Sequence, residues 1–232
     1  EAKQLTRKYF AKEVPGEFNE QPFCSKKDYS NYSLYVQPEN RDQIGFELNF
    51  PLYGTGDKKR EERITTYCFL RSLGGCTSSR LFQRIRNKER LVYSIRLSQT
   101  MYKHLGLVSI YGSATKNNIL NVMRAIREEV DLASTKGITE DELKLSKNAQ
   151  KASIRMGFES PETVAGGIIR QIFDTDQQYW FPEDEEKFLK TLKLKDVNNS
   201  IKGIFDYEKI NINLIGELND KEIKDIEKVF EK

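Results

Sequence analysis

Apolar residues alternate with polar ones in two segments of the first half of the chain. Residues 32–36 and 43–50 follow this period of two, which is typical of strands with one buried face. Pro51 is predicted to end the second strand, because proline interrupts the hydrogen-bond ladder of a sheet. From residue 60 to residue 73 the apolar positions recur at helical spacing instead, so this stretch is predicted to be a helix.

Two glycines, Gly74 and Gly75, follow this helix and open the most informative segment of the sequence, residues 74–94. The glycines are expected to provide a tight bend, because they tolerate backbone conformations that other residues avoid. The hydroxyls of Ser78 and Ser79 are expected to cap exposed amides at the start of the next helix. The pattern therefore predicts a loop that leads directly into a helix.

The period of the apolar positions changes from helical to alternating within this segment. Leu81, Phe82 and Ile85 recur at helical spacing, whereas apolar residues occupy alternate positions from 91 to 97. Another strand is predicted from 105 to 114. The link between these two strands is short, so they are predicted to pair as an antiparallel hairpin.

The second half of the sequence has mainly helical patterns. Thr139 and Glu142 have the spacing of a capping box, and Ser160 followed by Pro161 predicts another helix start. The patterns predict helices at 117–134, 139–158, 160–173, 183–192, 196–204 and 220–230, and a strand at 210–215.

This order of elements predicts an α+β fold. Helices are expected to cover one face of a mixed, largely antiparallel sheet, which gives a two-layer α/β sandwich. Residues 1–30 are predicted to be the tail of an amphipathic helix and a turn-rich connecting arm, and residues 31–232 the folded domain. Because the sequence lacks an initiator methionine, we interpret it as a piece of a longer protein or as a mature product.

Charged residues are abundant but nearly balanced, with 38 lysines and arginines against 35 acidic residues and a net charge of +3. So small an excess does not favour binding to nucleic acid or to an anionic membrane, and no apolar run is long enough for a membrane span. Five cations nevertheless lie within eleven residues, at Arg80, Arg84, Arg86, Lys88 and Arg90. This basic helix is expected either to face an acidic substrate or partner, or to be a solvated surface.

Histidine and cysteine are too scarce to form a zinc site in this chain. His104 is the single histidine, and Cys24, Cys68 and Cys76 show no C-x-x-C spacing. The odd number of cysteines argues against a disulfide framework and indicates a reducing compartment, so we predict a cytoplasmic location. No metal or other cofactor is predicted to be bound by this chain itself.

Residues 74–94 resemble the signature GG-x-x-SSRLFQ-x-(L/I)R-x-x-x-x-L-x-YS of the second, non-metal domain of pitrilysin or insulinase zinc peptidases, and the resemblance runs through residues 46–218. Relatives of this kind include mitochondrial processing peptidase subunits and bacterial homologues. The resemblance implies that Arg86 and Tyr93 reach into the active site of a partner domain, which holds zinc in an H-x-x-E-H motif. It also implies that two such domains pair into a half-shell, which closes on another half around a peptide substrate.

Arg86 and Tyr93 are therefore the predicted functional residues. A guanidinium and a phenol both donate hydrogen bonds, so the pair could hold a peptide and stabilise the oxyanion formed when its carbonyl is attacked. From spacing alone, Arg86 could equally cover apolar surface beside Phe82, and Tyr93 could be a core tyrosine on the face of Ile95. Many members of the family have a small residue before the tyrosine, and Val92 at this position is expected to crowd the approach.

The resemblance leads to two functional hypotheses. In the first, the chain is the non-catalytic domain of a pitrilysin-like peptidase, inactive alone, which joins a zinc-bearing domain to enclose and orient peptides. In the second, it is a structural or peptide-binding homologue without catalysis, comparable to core subunits of respiratory complexes. Nucleic-acid binding by the basic helix is a third and weaker hypothesis, because no nucleic-acid-binding module accompanies that helix.

Overall fold

A computed structural model of the chain describes residues 1–12, 31–175 and 180–231. The strands are β1 (Ser33–Gln37), β2 (Gln43–Leu52), β3 (Val92–Met101), β4 (Gly106–Thr115) and β5 (Asn211–Ile215). The α-helices are α1 (Ala2–Phe10), α2 (Arg60–Gly74), α3 (Ile119–Lys136), α4 (Glu140–Gly157), α5 (Pro161–Thr175), α6 (Pro182–Thr191), α7 (Leu194–Asn199) and α8 (Asp220–Phe230). A π-helix at Phe82–Lys88 and a 3₁₀ turn at Tyr207–Lys209 complete the described elements.

The five strands follow the order β1-β5-β2-β4-β3 across one sheet. Strand β1 runs parallel to β5, and every other neighbouring pair is antiparallel. Strands β3 and β4 form the predicted hairpin, with Thr100 opposite Leu107 near the link. The prediction of an α+β fold with a mixed, largely antiparallel sheet is confirmed.

Strand β2 shows how the two layers are arranged. Ile44, Leu48 and Phe50 are buried, whereas Glu47 between them is exposed and Asn49 is half-buried. Successive side chains of a strand point to opposite faces, so β2 has one apolar and one polar face. Helix α2 packs against β3 and α3 packs against β4, which places the helical layer on the apolar face. We call the polar face, which includes Glu47, the open face.

Strand β2 also runs further than predicted. Pro51 does not end it, because the strand continues to Leu52 and Pro51 pairs with Leu107 of β4. The pairing with β5 stops at Asn49, so the end of β2 has a neighbour on one side alone. A proline, which has no N–H to donate, is tolerated at such an edge position of a sheet.

Several predicted helix ends agree with the structure. The capping box at the start of α4 is formed: the N–H of Glu142 donates to the hydroxyl of Thr139, and the N–H of Thr139 donates to the Glu142 carboxylate. The helix predicted at 196–204 is shorter than expected and ends at Asn199. Gly203 has a φ of 79°, in the left-handed region that does not continue an α-helix.

The N-terminal helix α1 agrees with the predicted helix tail, and its Leu5, Tyr9 and Phe10 are exposed. The predicted arm that follows it includes Cys24. Residues 13–30, which contain this arm, lie outside the described part of the chain. The proposed boundary between residues 30 and 31 therefore stays a prediction. Among the described helices, none combines the length and apolar character that a bilayer crossing requires.

Candidate functional site

Close packing explains the two glycines at the end of α2. Neither Gly74 nor Gly75 has a positive φ, so the predicted need for an unusual backbone conformation is not observed. A Cβ atom on Gly74 would lie 2.5 Å from the Cβ of Leu97 and 2.9 Å from a methyl carbon of Leu81. A Cβ atom on Gly75 would lie 2.8 Å from the Cα of Arg71. Gly74 lets the helix, the next turn and strand β3 approach one another, and Gly75 lets the chain pass close to the last turn of α2.

The two serines stabilise the turn after α2. The buried Ser79 donates a 2.6 Å hydrogen bond from its hydroxyl to the carbonyl of Cys76. The exposed Ser78 has its hydroxyl oxygen 3.3 Å from the sulfur of Cys76. The hydroxyls were expected to accept hydrogen bonds from helix amides, but within the described structure they contact the turn itself.

The basic segment forms a π-helix at Phe82–Lys88. The N–H of Glu89 donates to the carbonyl of Arg84, five residues earlier, over 2.9 Å. Arg90 then has a φ of 55°, which is uncommon for a residue with a side chain. Single π-helical turns are rare and occur frequently at functional sites, so the backbone itself marks this segment as a candidate site.

A β-bulge at the start of β3 turns Tyr93 out of the sheet. The register with β4 shifts between Val92 and Ser94, so Tyr93 is an extra residue without a cross-strand partner. Tyr93 is 80% exposed, whereas Val92 and Ile95 are buried. The alternative that Tyr93 is a core tyrosine on the face of Ile95 is therefore wrong. Val92 lies in the core, where it does not crowd the approach to Tyr93.

The structure brings Arg86 and Tyr93 together. The Nε of Arg86 donates a 2.6 Å hydrogen bond to the backbone carbonyl of Tyr93. The guanidinium carbon of Arg86 lies 4.8 Å from the ring centre of Phe82 and 5.7 Å from that of Tyr93. Arg86 thus does cover Phe82, as the alternative interpretation predicted, but these contacts also fix the guanidinium in place.

Most hydrogen-bond donors of this pair have no partner in the part of the chain that the structure describes. A guanidinium has five N–H groups, and the bond to the Tyr93 carbonyl uses the one on the Nε of Arg86. The Tyr93 hydroxyl is likewise without a hydrogen bond to the described residues, and its side chain is exposed. The two side chains therefore present several oriented donors to a ligand.

Arg84 fastens the π-helix to helix α3. Its guanidinium donates to the carboxylates of Glu89, Glu128 and Glu129 at 2.7, 2.5 and 3.2 Å. Burial by itself would lower the pKa of Arg84, but the three hydrogen-bonded carboxylates outweigh it and raise the pKa above its usual range. Charge-assisted bonds of this kind are stronger than neutral ones, so Arg84 holds the turn that carries Arg86.

Arg80 makes a second anchor at the start of the same segment. Its Nε and Nη2 donate to the two carboxylate oxygens of Glu142 at 2.5 and 2.7 Å, and Nη2 also donates to the carbonyl of Gly137. Burial would raise the pKa of Glu142, but the bonds from Arg80 and from the Thr139 N–H outweigh it and lower that pKa. The segment is thus tied to both α3 and α4.

These pairings correct the prediction of a uniformly basic helix. Arg80 and Arg84 are neutralised by carboxylates. Lys88 and Arg90 are exposed and form no ion pair with the described residues. The free positive charge therefore lies at Arg86 and at the end of the segment, and the local field is weaker than the sequence suggests.

The low pKa of Glu142 predicts how stability depends on pH. The pKa of Glu142 is lowered in the folded state. Its ionised carboxylate therefore stabilises the fold at any pH above the pKa of the unfolded state, and this stabilisation is lost as the pH falls through the pKa of the folded state. We expect Glu142→Gln, which keeps the helix cap, to lower the free energy of unfolding at pH 7 by about 1 kcal/mol, allowing for solvent screening. In urea unfolding at about pH 3, the difference from the wild type should shrink. Glu140→Gln, on the exposed side of the same turn, should leave the free energy of unfolding unchanged at both pH values. If Glu142→Gln lowered the free energy of unfolding equally at both pH values, this assignment would be contradicted.

The described residues do not fit a zinc ion. His104 is exposed in the β3–β4 link, and no group of three histidine, cysteine or acidic side chains in the described ranges could hold a metal. Cys68 is buried and Cys76 half-buried, and both are free thiols. Burial raises the pKa of the Cys68 thiol to about 11, so it is neutral at physiological pH.

The sequence did not reveal what supports the site. Phe82 forms the surface beneath the Arg86 guanidinium, and this is the one supporting contact that the alternative interpretation of Arg86 had predicted. The partners of Arg84 on α3 lie 44 and 45 residues away in the chain, and no local pattern points to them. Glu129 was the available signal, since it places a carboxylate on the apolar stripe of an amphipathic helix.

Comparisons with known proteins agree with this architecture. The chain is 36% identical over 100 residues to the uncharacterized zinc protease YmxG of Bacillus subtilis, a match that covers 43% of this chain and 24% of that protein. A protease structure from Helicobacter pylori matches with a TM-score of 0.79 at 17% identity, over 92% of this chain and 51% of that one. A chain of complex III2 from Candida albicans matches with a TM-score of 0.64 at 13% identity, over 84% and 49% of the two chains.

The fold and the sequence relatives together define a non-catalytic domain of the kind found in zinc proteases. The family described as "Peptidase M16 inactive domain" matches residues 1–150, more than half of the chain. The chain belongs to this family, and the resemblance of its 74–94 segment to pitrilysin-type peptidases is confirmed. It corresponds to about a quarter to a half of the length of the relatives that it matches.

Proposed function

We propose that this chain is the non-catalytic partner of a zinc-bearing H-x-x-E-H domain, situated upstream or in another chain, and that the two enclose and position peptides for hydrolysis. One observation carries the proposal. Arg86 and Tyr93 are held together at the surface, with donors that form no hydrogen bond to the described residues. Such an arrangement suits a substrate that approaches from outside this domain.

The chemistry available to the pair is hydrogen bonding rather than proton transfer. The free N–H groups of Arg86 form a planar fork that can bind one or two carbonyl oxygens of a peptide. The Tyr93 hydroxyl can donate to a neighbouring oxygen. Donors fixed in advance stabilise charge that develops on a carbonyl oxygen and hold the peptide in register. Hydrolysis itself is assigned to the zinc-bearing partner, because the residues that the structure describes do not fit a zinc ion.

A second candidate function is a scaffold without catalysis. It is favoured by the fold similarity to a chain of complex III2 from Candida albicans. In that case Arg86 and Tyr93 would contact a fixed protein segment instead of a substrate. The two functions predict different partners, since only the first requires an intact H-x-x-E-H motif.

The proposal is tested by combining this chain with the zinc-bearing domain encoded upstream or in a neighbouring gene. We expect neither component alone to cleave an unfolded peptide, and the purified pair to cleave it. The cleavage should be followed with an internally quenched peptide, and chelation of the metal provides the negative control. A pair that assembles but does not cleave any member of a peptide library, although its zinc motif is intact, would favour the scaffold.

The cytoplasmic location predicted from the cysteines stays a prediction. It agrees with the two free thiols among the described residues, Cys68 and Cys76, and we include it in the proposal only on that ground. Fractionation of cells with an antibody against this chain would test it directly.

A further inference from the structure

A single row of side chains crosses the open face from one edge of the sheet to the other. Cα pairing places Tyr35 opposite Asn213, Asn213 opposite Glu47, Glu47 opposite Tyr111 and Tyr111 opposite Arg96. Paired residues point to the same face, and neighbouring strands lie about 4.8 Å apart, so the row is about 19 Å long. Tyr35 is 60% exposed and Tyr111 39% exposed, which makes the row accessible along its length.

Two opposite charges in this row have no partner among the described residues. Glu47 and Arg96 are both exposed, and they are the charged side chains that the five strands place on the open face. They are separated by two strand spacings, or about 10 Å, with Tyr111 between them. The remaining strand residues of this face are mainly serine, threonine, asparagine and glutamine.

A depression lies beside Glu47. It has a volume of 460 Å³ and is lined by Gly45, Glu47, Tyr111, Ser113 and Asn213, among others. The nearest atom to a Cβ built on Gly45 is 3.9 Å away, so the space arises because this position has no side chain. An aliphatic stem could lie in the depression against the Tyr111 ring while a cationic head reaches Glu47.

The row is also continuous with the candidate site. Arg96 follows Tyr93 by three residues on β3, a distance of about 10 Å along a strand. An extended peptide rises about 3.3 Å per residue, so one held at Arg86 and Tyr93 has only a few residues to span before it reaches Arg96. In an extended peptide of the polyproline II type, side chains three residues apart lie on the same side and about 9 Å apart, which matches the Glu47–Arg96 separation.

We propose that the open face binds an extended segment of the peptide substrate and selects it by charge. A lysine or arginine side chain occupies the depression at Glu47, and an acidic side chain three residues away pairs with Arg96. This inference rests on the proposed function, because it treats the ligand as the substrate of that site. A second copy of the chain is a poorer fit, since stable homodimer interfaces have apolar cores and this face is polar.

The test is a titration of the isotopically labelled 232-residue chain with matched synthetic peptides, followed by NMR. The peptides share one extended scaffold and contain K-x-x-E, E-x-x-K, K-x-x-Q, Q-x-x-E or Q-x-x-Q. We expect one K/E order to bind about tenfold more tightly than Q-x-x-Q, because each exposed charge pair contributes about three- to fivefold. Glu47→Gln should remove the preference for lysine, and Arg96→Gln the preference for glutamate. Filling the depression with Gly45→Leu should weaken the binding of every lysine peptide.

The matched controls are Glu140→Gln and Arg124→Gln, which make the same charge changes at exposed positions of α4 and α3. Equal affinity for all five peptides, no binding, or perturbations that map to the helices would overturn the proposal. A dimer that sedimentation shows to depend on Glu47 and Arg96 would assign the face to a second copy instead. If the titration succeeds but Arg86→Ala does not alter cleavage by the assembled pair, the proposed function fails and the charge-selective face remains.

Discussion

Replacing Arg86 with alanine is expected to lower kcat/KM of the assembled peptidase by about a hundredfold to a thousandfold, the loss that follows removal of one fixed donor to a developing oxyanion. The reason lies in the geometry: the bond to the Tyr93 carbonyl and the Phe82 ring fix the guanidinium, so no reorganisation is needed when the substrate binds. The measurement is the cleavage rate of a quenched peptide by this chain with its zinc-bearing partner.

Two further variants, one at each residue of the pair, separate the charge of Arg86 from its geometry and measure the contribution of the Tyr93 hydroxyl. Arg86→Lys retains the charge but not the planar fork, so we expect it to recover only a small part of the lost activity. Tyr93→Phe retains the ring beside Arg86 and removes one hydroxyl, and it should cost up to about tenfold, the value of one hydrogen bond.

The control for these variants is Arg124→Ala, which removes an exposed cation from α3 and should leave the rate unchanged. Thermal unfolding of each variant shows whether a lower rate reflects a loss of folded protein. An Arg86→Ala pair that assembles, remains folded and cleaves at the wild-type rate would contradict the role of Arg86. The scaffold function would then be the better explanation of this site.

The sequence predicted most of the sheet and both ends of several helices because these depend on local periodicity and local capping. Alternation located strand β2, and the Thr139–Glu142 spacing located the start of α4. The family signature identified Arg86 and Tyr93 as a pair, and the structure places them in contact. Their catalytic contribution stays a prediction.

The sequence did not predict the two irregularities that orient this pair. A π-helical turn and a β-bulge each insert one residue into a regular element, and apolar spacing tolerates both. Phe82 and Ile85 are buried in the π-helix as they would be in an α-helix, and Val92 and Ile95 are buried on either side of the bulge. The residue inserted in β3 is Tyr93 itself, so a strictly alternating strand would have placed this tyrosine in the core.

Replacing Gly74 with alanine is expected to lower the free energy of unfolding by about 1–3 kcal/mol, although alanine is the better helix former. The added Cβ would lie 2.5 Å from the Cβ of Leu97 and 2.9 Å from a methyl carbon of Leu81. Both neighbours are buried, and the Cβ of Leu97 is attached directly to the backbone of β3. Relief therefore requires α2 and β3 to move apart, which costs more than the gain in helix propensity.

The same substitution at Gly166 is the matched control. Gly166 also lies in a helix, α5, but apart from its own helix backbone and chain neighbours, no atom of the described residues lies within 4 Å of a Cβ built on it. Gly166→Ala should therefore stabilise the protein by about 0.5–1 kcal/mol. Urea unfolding of the two variants should show opposite signs. Equal stabilisation by both would mean that α2 and β3 can separate without cost.

Gly74→Ala should also displace Arg86 from Tyr93, because Leu97 shares β3 with Tyr93 and Leu81 immediately precedes the π-helix. The NMR chemical shifts of Arg86 and Tyr93 would report this displacement.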